Sequence, residues 1–531
     1  MTGIQSDRAE ADRVNERQRA SGAYITEGPA AWTILQQDAD GFADVALQGY
    51  WQVIDGVGDY DLERATVYVR VLREDDGRVV WPWEPCRMAE GLEEQERSAS
   101  LELSLEVGKG RMALEEQERR WSARLRLPAG GLYRLETCLR VRRDDPAMEW
   151  PMRGDMIHHL GVGDVWLIAG QSNAAGYGRG AHDDAPEPGV HMLRLNGQWD
   201  MASHPLNDPT GTLFAPNREW SNPAHSPFLL FGKLLRSALG YPIGLVPTAL
   251  GGSHLRSWNP DESGELYRNM REIVGLAGDR VRGVLWYQGC SEACSPETDE
   301  SQTYLERFEA FVRHLRADFS DDALPLPVLT VQLNRLIGWE VSDALDRCWG
   351  RVREAQKEAA LRIPSVYIVP SLDGDVCDNI HNGPNANRLI GTRLAEAALA
   401  HVYEERDGGV RDRGLARTHA RAPRAVAANV RRNEEKERFE IAIKFADVAG
   451  RLLAHTTEKA FAVEDESGGI GVPEWQVAGT SEIVLALARE PVGETFVHGA
   501  FETNPAYYVP FDDATRWPML AFYRLSARMQ N

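Results

Sequence analysis

Three textures of apolar and polar spacing succeed one another along the chain. Between about 41 and 160, apolar and polar residues alternate over short runs, as in Thr66-Val67-Tyr68-Val69-Arg70-Val71. The same alternation appears at 101–107 and 121–127. A period of two, broken by Gly, Pro and Asp, predicts half-buried strands of an antiparallel β-sandwich. From about 161 to 405 wholly apolar runs take over, at 165–169, 243–248, 283–287, 328–333 and 365–369. Amphipathic stretches separate them at 228–239, 302–319, 345–361 and 385–403. Strands apolar on both faces, each followed by a helix, predict a parallel sheet covered on both sides. Alternation returns at 439–445 and 482–487 and predicts a second β-sandwich. The resulting plan is a polar, helix-permissive arm over 1–40, a β-sandwich over 41–160, an α/β domain over 161–415 and a β-sandwich over 416–531. The segment LEEQER occurs at 92–97 and again at 114–119, and two copies are too few for a repeat architecture.

Composition narrows the class. A chain of 531 residues exceeds one hydrophobic core, in keeping with several domains. The formal charge of −21, from 59 basic and 80 acidic side chains, opposes binding to nucleic acid or to anionic membranes. No apolar run approaches the roughly 20 residues that span a bilayer, and the first 25 residues lack the apolar core of a secretion signal. The expectation is a cytoplasmic protein acting on a small or uncharged molecule. The six cysteines are scattered and predict reduced thiols. Cys290 and Cys294 lack the neighbouring Cys or His pair that would complete a metal site. Neither metal nor cofactor is expected.

Chemistry concentrates where the apolar strands of the α/β domain end. Gly170-Gln171-Ser172-Asn173 follows the first, Ala249-Leu250-Gly251-Gly252-Ser253 the second, and Gln288-Gly289-Cys290-Ser291-Glu292 the third. Asp373 through His381 follows the fifth. In a parallel sheet these loops open on one edge, the usual place for a ligand. A serine hydroxyl attacks only if a base takes its proton. His381 is the candidate base, and Asp378 the carboxylate that fixes its tautomer. Candidate donors to the oxyanion are the Ser172 N–H, the Gly251 or Gly252 N–H and the Gln288 amide. Each feature has a bland reading: a capping serine, a tight turn, a surface Asp-x-x-His turn, a satisfied buried amide. Convergence on one edge favours a Ser172, His381, Asp378 triad.

The motifs GDVWLIAGQSN (163–173), TALGGSHLRSW (248–258), VLWYQGCSEA (284–293), VQLN (331–334), VREAQ (352–356) and DGDVCDNIHNGPNANRLIGTRLA (373–395) resemble the sialate O-acetylesterase family of SGNH hydrolases, related to acetylxylan esterases. The resemblance implies a flavodoxin-like α/β/α domain and a metal-free serine esterase that removes acetyl groups from sugar hydroxyls. It carries the nucleophile to Ser172, the Asp-x-x-His pair to Asp378 and His381, and the oxyanion loops to Gly251, Gly252 and Gln288. Two positions depart from it: Cys290 stands where glutamate is common, and Glu292 where Asn or Asp is usual. Candidate substrate contacts are Gln171, Asn173, Arg256 and Glu292. Arg179 and Arg335 are available to meet a sugar carboxylate, and Trp258 and Trp286 to stack on a pyranose. His254 reads as a loop residue and not a second base. The competing readings are a non-catalytic carbohydrate-binding protein and a lipase or thioesterase on the same fold.

Overall fold

The computed structural model describes residues 20–53, 60–89, 119–143, 149–320, 325–338, 340, 342–404, 420–455, 459–505 and 509–529. Contacts divide the chain into two compact units, Met1–Gly163 and Asp164–Asn531.

In the first unit Phe42–Gln52 pairs antiparallel with Gly22–Glu27 and with Arg120–Pro128. Tyr60–Arg73 pairs with Val79–Pro85 and Gly130–Arg143. Alternation is the cause: Ala43, Val45 and Leu47 are buried, while the residues between them face outward. The polar arm expected over 1–40 gives way to strands in its described part. Ala23 is fully buried in Gly22–Glu27, and Ile34–Gln36 pairs parallel with residues 161–163. Tyr24, Ile25 and Ile34 supply strand-forming side chains that the surrounding charge masks in a sequence average. The strand expected at 101–107 and the LEEQER segments, but for Arg119, lie outside the described residues.

The second unit is built on a parallel sheet. Its strands are β1 (Glu149–Gly170, which begins in the first unit), β2 (Val190–Leu193), β3 (Trp199–Met201), β4 (Ile243–Pro247), β5 (Gly283–Tyr287), β6 (Val328–Val331) and β7 (Val366–Val369). Their order is β3-β2-β4-β1-β5-β6-β7, all parallel except β3, which turns back along β2. The first strand in the chain therefore lies between β4 and β5, from which connections run to opposite sides. That switch point opens a crevice at the carboxyl end of β1. Residues 164–170, β4, β5 and β6 are buried throughout, as their unbroken apolar composition requires.

Eight helices accompany the sheet among the described residues: α1 (Ser172–Ala175), α2 (Phe228–Leu239), α3 (Leu255–Trp258), α4 (Glu265–Leu276), α5 (Cys290–Ala293), α6 (Glu300–Phe319), α7 (Asp343–Arg362) and α8 (Pro384–Ala398). The Ser342 hydroxyl caps α7 by accepting the Leu345 N–H. Among the described residues no helix is long and apolar enough to cross a membrane.

Residues 424–529 add eight strands on one hydrogen-bonded path and a separate two-stranded pair. They cluster with the α/β region in one compact unit. Arg353 on α7 is the main polar tie. It is 0% exposed and donates to the carbonyls of Leu333, Asn334, Ala500, Phe501 and Glu502. Burial, with the nearby Arg335, lowers its pKa to about 9. The side chain of Gln332 likewise exchanges two hydrogen bonds with the Ala521 backbone.

Candidate functional site

The site is assembled by side chains that hold loops. At Gly170, φ is +131°, and an added Cβ would lie 2.2 Å from the Tyr287 carbonyl. Glycine alone lets β1 and β5 stay side by side to their ends. Gln171 then places its Oε1 to accept the N–H groups of Gly289 and Cys290, both at 2.9 Å, and of Ser291 at 3.4 Å. Asn173 does the same for the loop after β7. Its Oδ1 accepts the Asn382 N–H at 3.0 Å, and its Nδ2 donates to the Ile380 carbonyl at 3.3 Å. Asn334 grips the same two residues from the segment after β6, donating to Ile380 O and to Asn382 Oδ1. Ser172 and His381 are thus direct chain neighbours of residues hydrogen-bonded to each other. Ser172 is 8% exposed, at the start of α1.

His381 Nδ1 lies 2.7 Å from Asp378 Oδ2. The other oxygen of Asp378 accepts the N–H groups of Ile380 and His381 at 2.9 and 2.8 Å. Burial acts to raise the Asp378 pKa, but these N–H groups and the imidazole outweigh it and hold the carboxyl below its usual range. With Nδ1–H donated to Asp378, Nε2 is the basic nitrogen. Tyr177 stacks on the ring, centroids 5.0 Å apart. No direct hydrogen bond from Ser172 Oγ to His381 forms among the described residues, a contact that commonly closes only with substrate in place.

Two expected oxyanion donors are engaged elsewhere. The Gly251 N–H donates to Glu219 Oε1 at 2.9 Å. The Gln288 amide is 0% exposed and spends both hydrogens, on Ser253 O at 3.2 Å and Glu292 Oε2 at 2.6 Å. The N–H groups of Ser172 and Gly252 remain uncommitted among the described residues. Gly252 has φ +67°, and a Cβ there would meet nothing within 4 Å, so it faces open space.

The expected substrate contacts are also corrected. Gln171 and Asn173 are buried and occupied as loop latches. Glu292 is fully buried and accepts the Leu255 N–H as well as the Gln288 amide, while burial drives its pKa up. Arg256 is paired with Glu300 at 2.9 Å, and His254 with the other oxygen of that carboxylate at 2.8 Å. Arg335 is buried and donates to the Leu372 and Pro505 carbonyls. Trp258 and Trp286 pack edge to face in the core, 5.5 Å apart. Cys290 is buried, and burial lifts its thiol well above the ordinary value, which rules it out as the nucleophile.

Residues 162–400 match the family described as carbohydrate esterase, sialic acid-specific acetylesterase. The chain is 27% identical over 261 residues to a probable carbohydrate esterase of Arabidopsis thaliana, covering 45% of this chain and 90% of that protein. It is 27% identical over 306 residues to human sialate O-acetylesterase, covering 47% of this chain and 55% of that one. The chain thus spans about half the length of the human relative. The crystal structure of a carbohydrate acetylesterase from Xanthomonas citri superposes with a TM-score of 0.57 at 20% identity, covering 93% of this chain and 97% of that one, a likeness of fold.

Three residues near these loops escaped the sequence reading: Tyr177, Glu219 and Trp220. Glu219 Oε2 accepts the Tyr177 hydroxyl at 2.8 Å, and burial raises the Glu219 pKa. They sit in irregular loops, where no period marks them. The α/β region also holds a buried cluster in which Asp184, His204 and His225 present ligand atoms within 4.8 Å of one another. Lys233 Nζ already lies 2.9 Å from Asp184 Oδ1. The Asn387 amide donates to the His225 carbonyl at 2.9 Å and faces His225 Nδ1 at 3.3 Å. That places the His225 proton on Nε2, toward Asp184. Two imidazoles and a carboxylate are a donor set that could hold a metal ion, and here the Asp184 carboxylate is paired with Lys233.

Proposed function

We propose that the chain is a carbohydrate O-acetylesterase, an SGNH-type serine hydrolase whose triad is Ser172, His381 and Asp378. The observation that supports the reading is the pinned 380–382 segment: Asn173, next in the chain to Ser172, bonds to residues on both sides of His381, whose imidazole meets Asp378. His381 Nε2 takes the Ser172 proton as Oγ attacks the acetyl carbonyl. The N–H groups of Ser172 and Gly252 receive the oxyanion. The tetrahedral adduct collapses, the sugar alcohol leaves with the proton from His381, and an acetyl-serine remains. Water, deprotonated by His381, then attacks that ester and releases acetate. Asp378 holds the tautomer throughout.

Acetate release from a panel of acetylated mono- and oligosaccharides tests the reading, with Ser172→Ala as the blank. Comparing the acetate, butyrate and octanoate esters of 4-nitrophenol separates the alternatives. Octanoate preference overturns it in favour of a lipase, and silence on all three in favour of a binding protein.

A further inference from the structure

We propose that Trp220 is the platform on which the sugar ring of the acetyl ester lies. This deepens the esterase reading and rests on it. The indole is 82% exposed. An exposed tryptophan in a slack loop signifies little, but this one is held at both flanks. Glu219 before it accepts the Tyr177 hydroxyl and the Gly251 N–H. Ser221 after it accepts the same hydroxyl on its carbonyl at 3.3 Å and Arg179 Nη2 on its Oγ at 3.1 Å. Arg179 also donates to the Asn222 carbonyl at 3.5 Å. The backbone on either side is therefore tied to residues 177–179, and the indole between is presented to solvent.

What it is presented to follows from three contacts. The Tyr177 ring lies 6.4 Å from the Trp220 ring and 5.0 Å from the His381 ring, so the phenol touches both indole and imidazole. A Cβ built on Gly251 would lie 3.6 Å from Trp220 Nε1, and the open-facing Gly252 follows in the chain. Trp220 thus flanks the side from which an ester reaches the uncommitted Gly252 N–H. A pyranose presents an apolar C–H face and a polar hydroxyl edge, and a rigid indole takes the first while leaving the second in water. The ligand class is a pyranose bearing the acetyl group. A small ester without a ring gains nothing from this surface.

Two measurements test the platform. In the first, kcat/KM is compared for an acetylated methyl glucopyranoside and for ethyl acetate. Trp220→Ala should lower the ratio of sugar to ethyl ester about tenfold, through KM, and Trp220→Phe should restore most of it. An unchanged ratio, including an equal fall on both esters, overturns the proposal. The second is independent of turnover: the Ser172→Ala protein is labelled with 5-fluorotryptophan, and the Trp220 ¹⁹F resonance is identified by its loss in Trp220→Phe. That resonance should shift on titration with the acetylated sugar, and a stationary resonance at saturation overturns the proposal. A protein that hydrolyses neither ester yet shows the shift would refute the esterase reading and keep the platform.

Discussion

Two clusters in the second unit pair histidine with aspartate, and they serve opposite ends. At the rim, Asp378 meets one imidazole, accepts two backbone N–H groups and has no lysine or arginine pairing with it among the described residues. The His381 side chain is 15% exposed. Inside, Asp184 faces His204 at 3.0 Å, His225 at 3.5 Å and Lys233 at 2.9 Å, and the His225 side chain is 0% exposed. Burial works against the Asp184 charge, yet these three partners hold its carboxyl far below the usual range. Pairing alone does not distinguish a base from a bolt. What differs is the number of partners: Asp378 has one imidazole and backbone N–H groups, whereas Asp184 is shared by two imidazoles and an ammonium.

The comparison can be broken by substitution. Ser172→Ala should lower kcat by three to four orders of magnitude or more with the melting temperature unchanged, read from acetate release and calorimetry. Asp378→Asn should cost about 10³–10⁴ in kcat, because the amide holds the wrong tautomer, again with little change in melting. If it is nearly silent, Asp375 is the alternative acid. Asp184→Asn should do the reverse. Urea unfolding should show a loss of about 3 kcal/mol, since Lys233 is left beside buried imidazoles, while kcat changes less than threefold. The smallest effect is expected from pH. Burial lowers the pKa of His204, and that of His498 to about 4, from an ordinary 6.5. Below pH 6.5 the unfolded chain takes up protons that the folded one refuses. Stability should therefore hold above that pH and fall by about 1–3 kcal/mol between pH 6.5 and 4, seen as a declining melting temperature. A flat profile over that range would mean that these histidines do not stay neutral inside.

The sequence reading found what continuous apolar runs announce. Strands β1, β4, β5, β6 and β7 and helix α2 lie where their patterns put them. The chemistry-bearing loops were legible because a parallel sheet sends strand ends to one edge. Strands β2 and β3 were missed, being only four and three residues long. Helix α4 was missed because its buried Leu266, Met270, Ile273 and Val274 are interspersed with charged residues. Partner choice was the larger gap. Whether Gly251 offers its N–H to substrate depends on Glu219, and whether Gln288 is a donor depends on Glu292. Both answers arise from folding, since neither spacing has a sequence signature. Arg353 and Gln356 in VREAQ show the same limit. They stood in a motif that resembled an esterase, and their task is to hold the carbonyls and N–H groups of other loops.

Arg353 also determines where the molecule can be cut. Three of its five acceptors belong to residues 500–502, and another is the carbonyl of Asn334, whose amide grips the loop of His381. Ending the chain near residue 400 would strip Arg353 of three of its five acceptors and uncover the guanidinium they enclose. The last hundred residues therefore help hold the loop that carries His381, and residues 162–400 are not expected to fold intact without them.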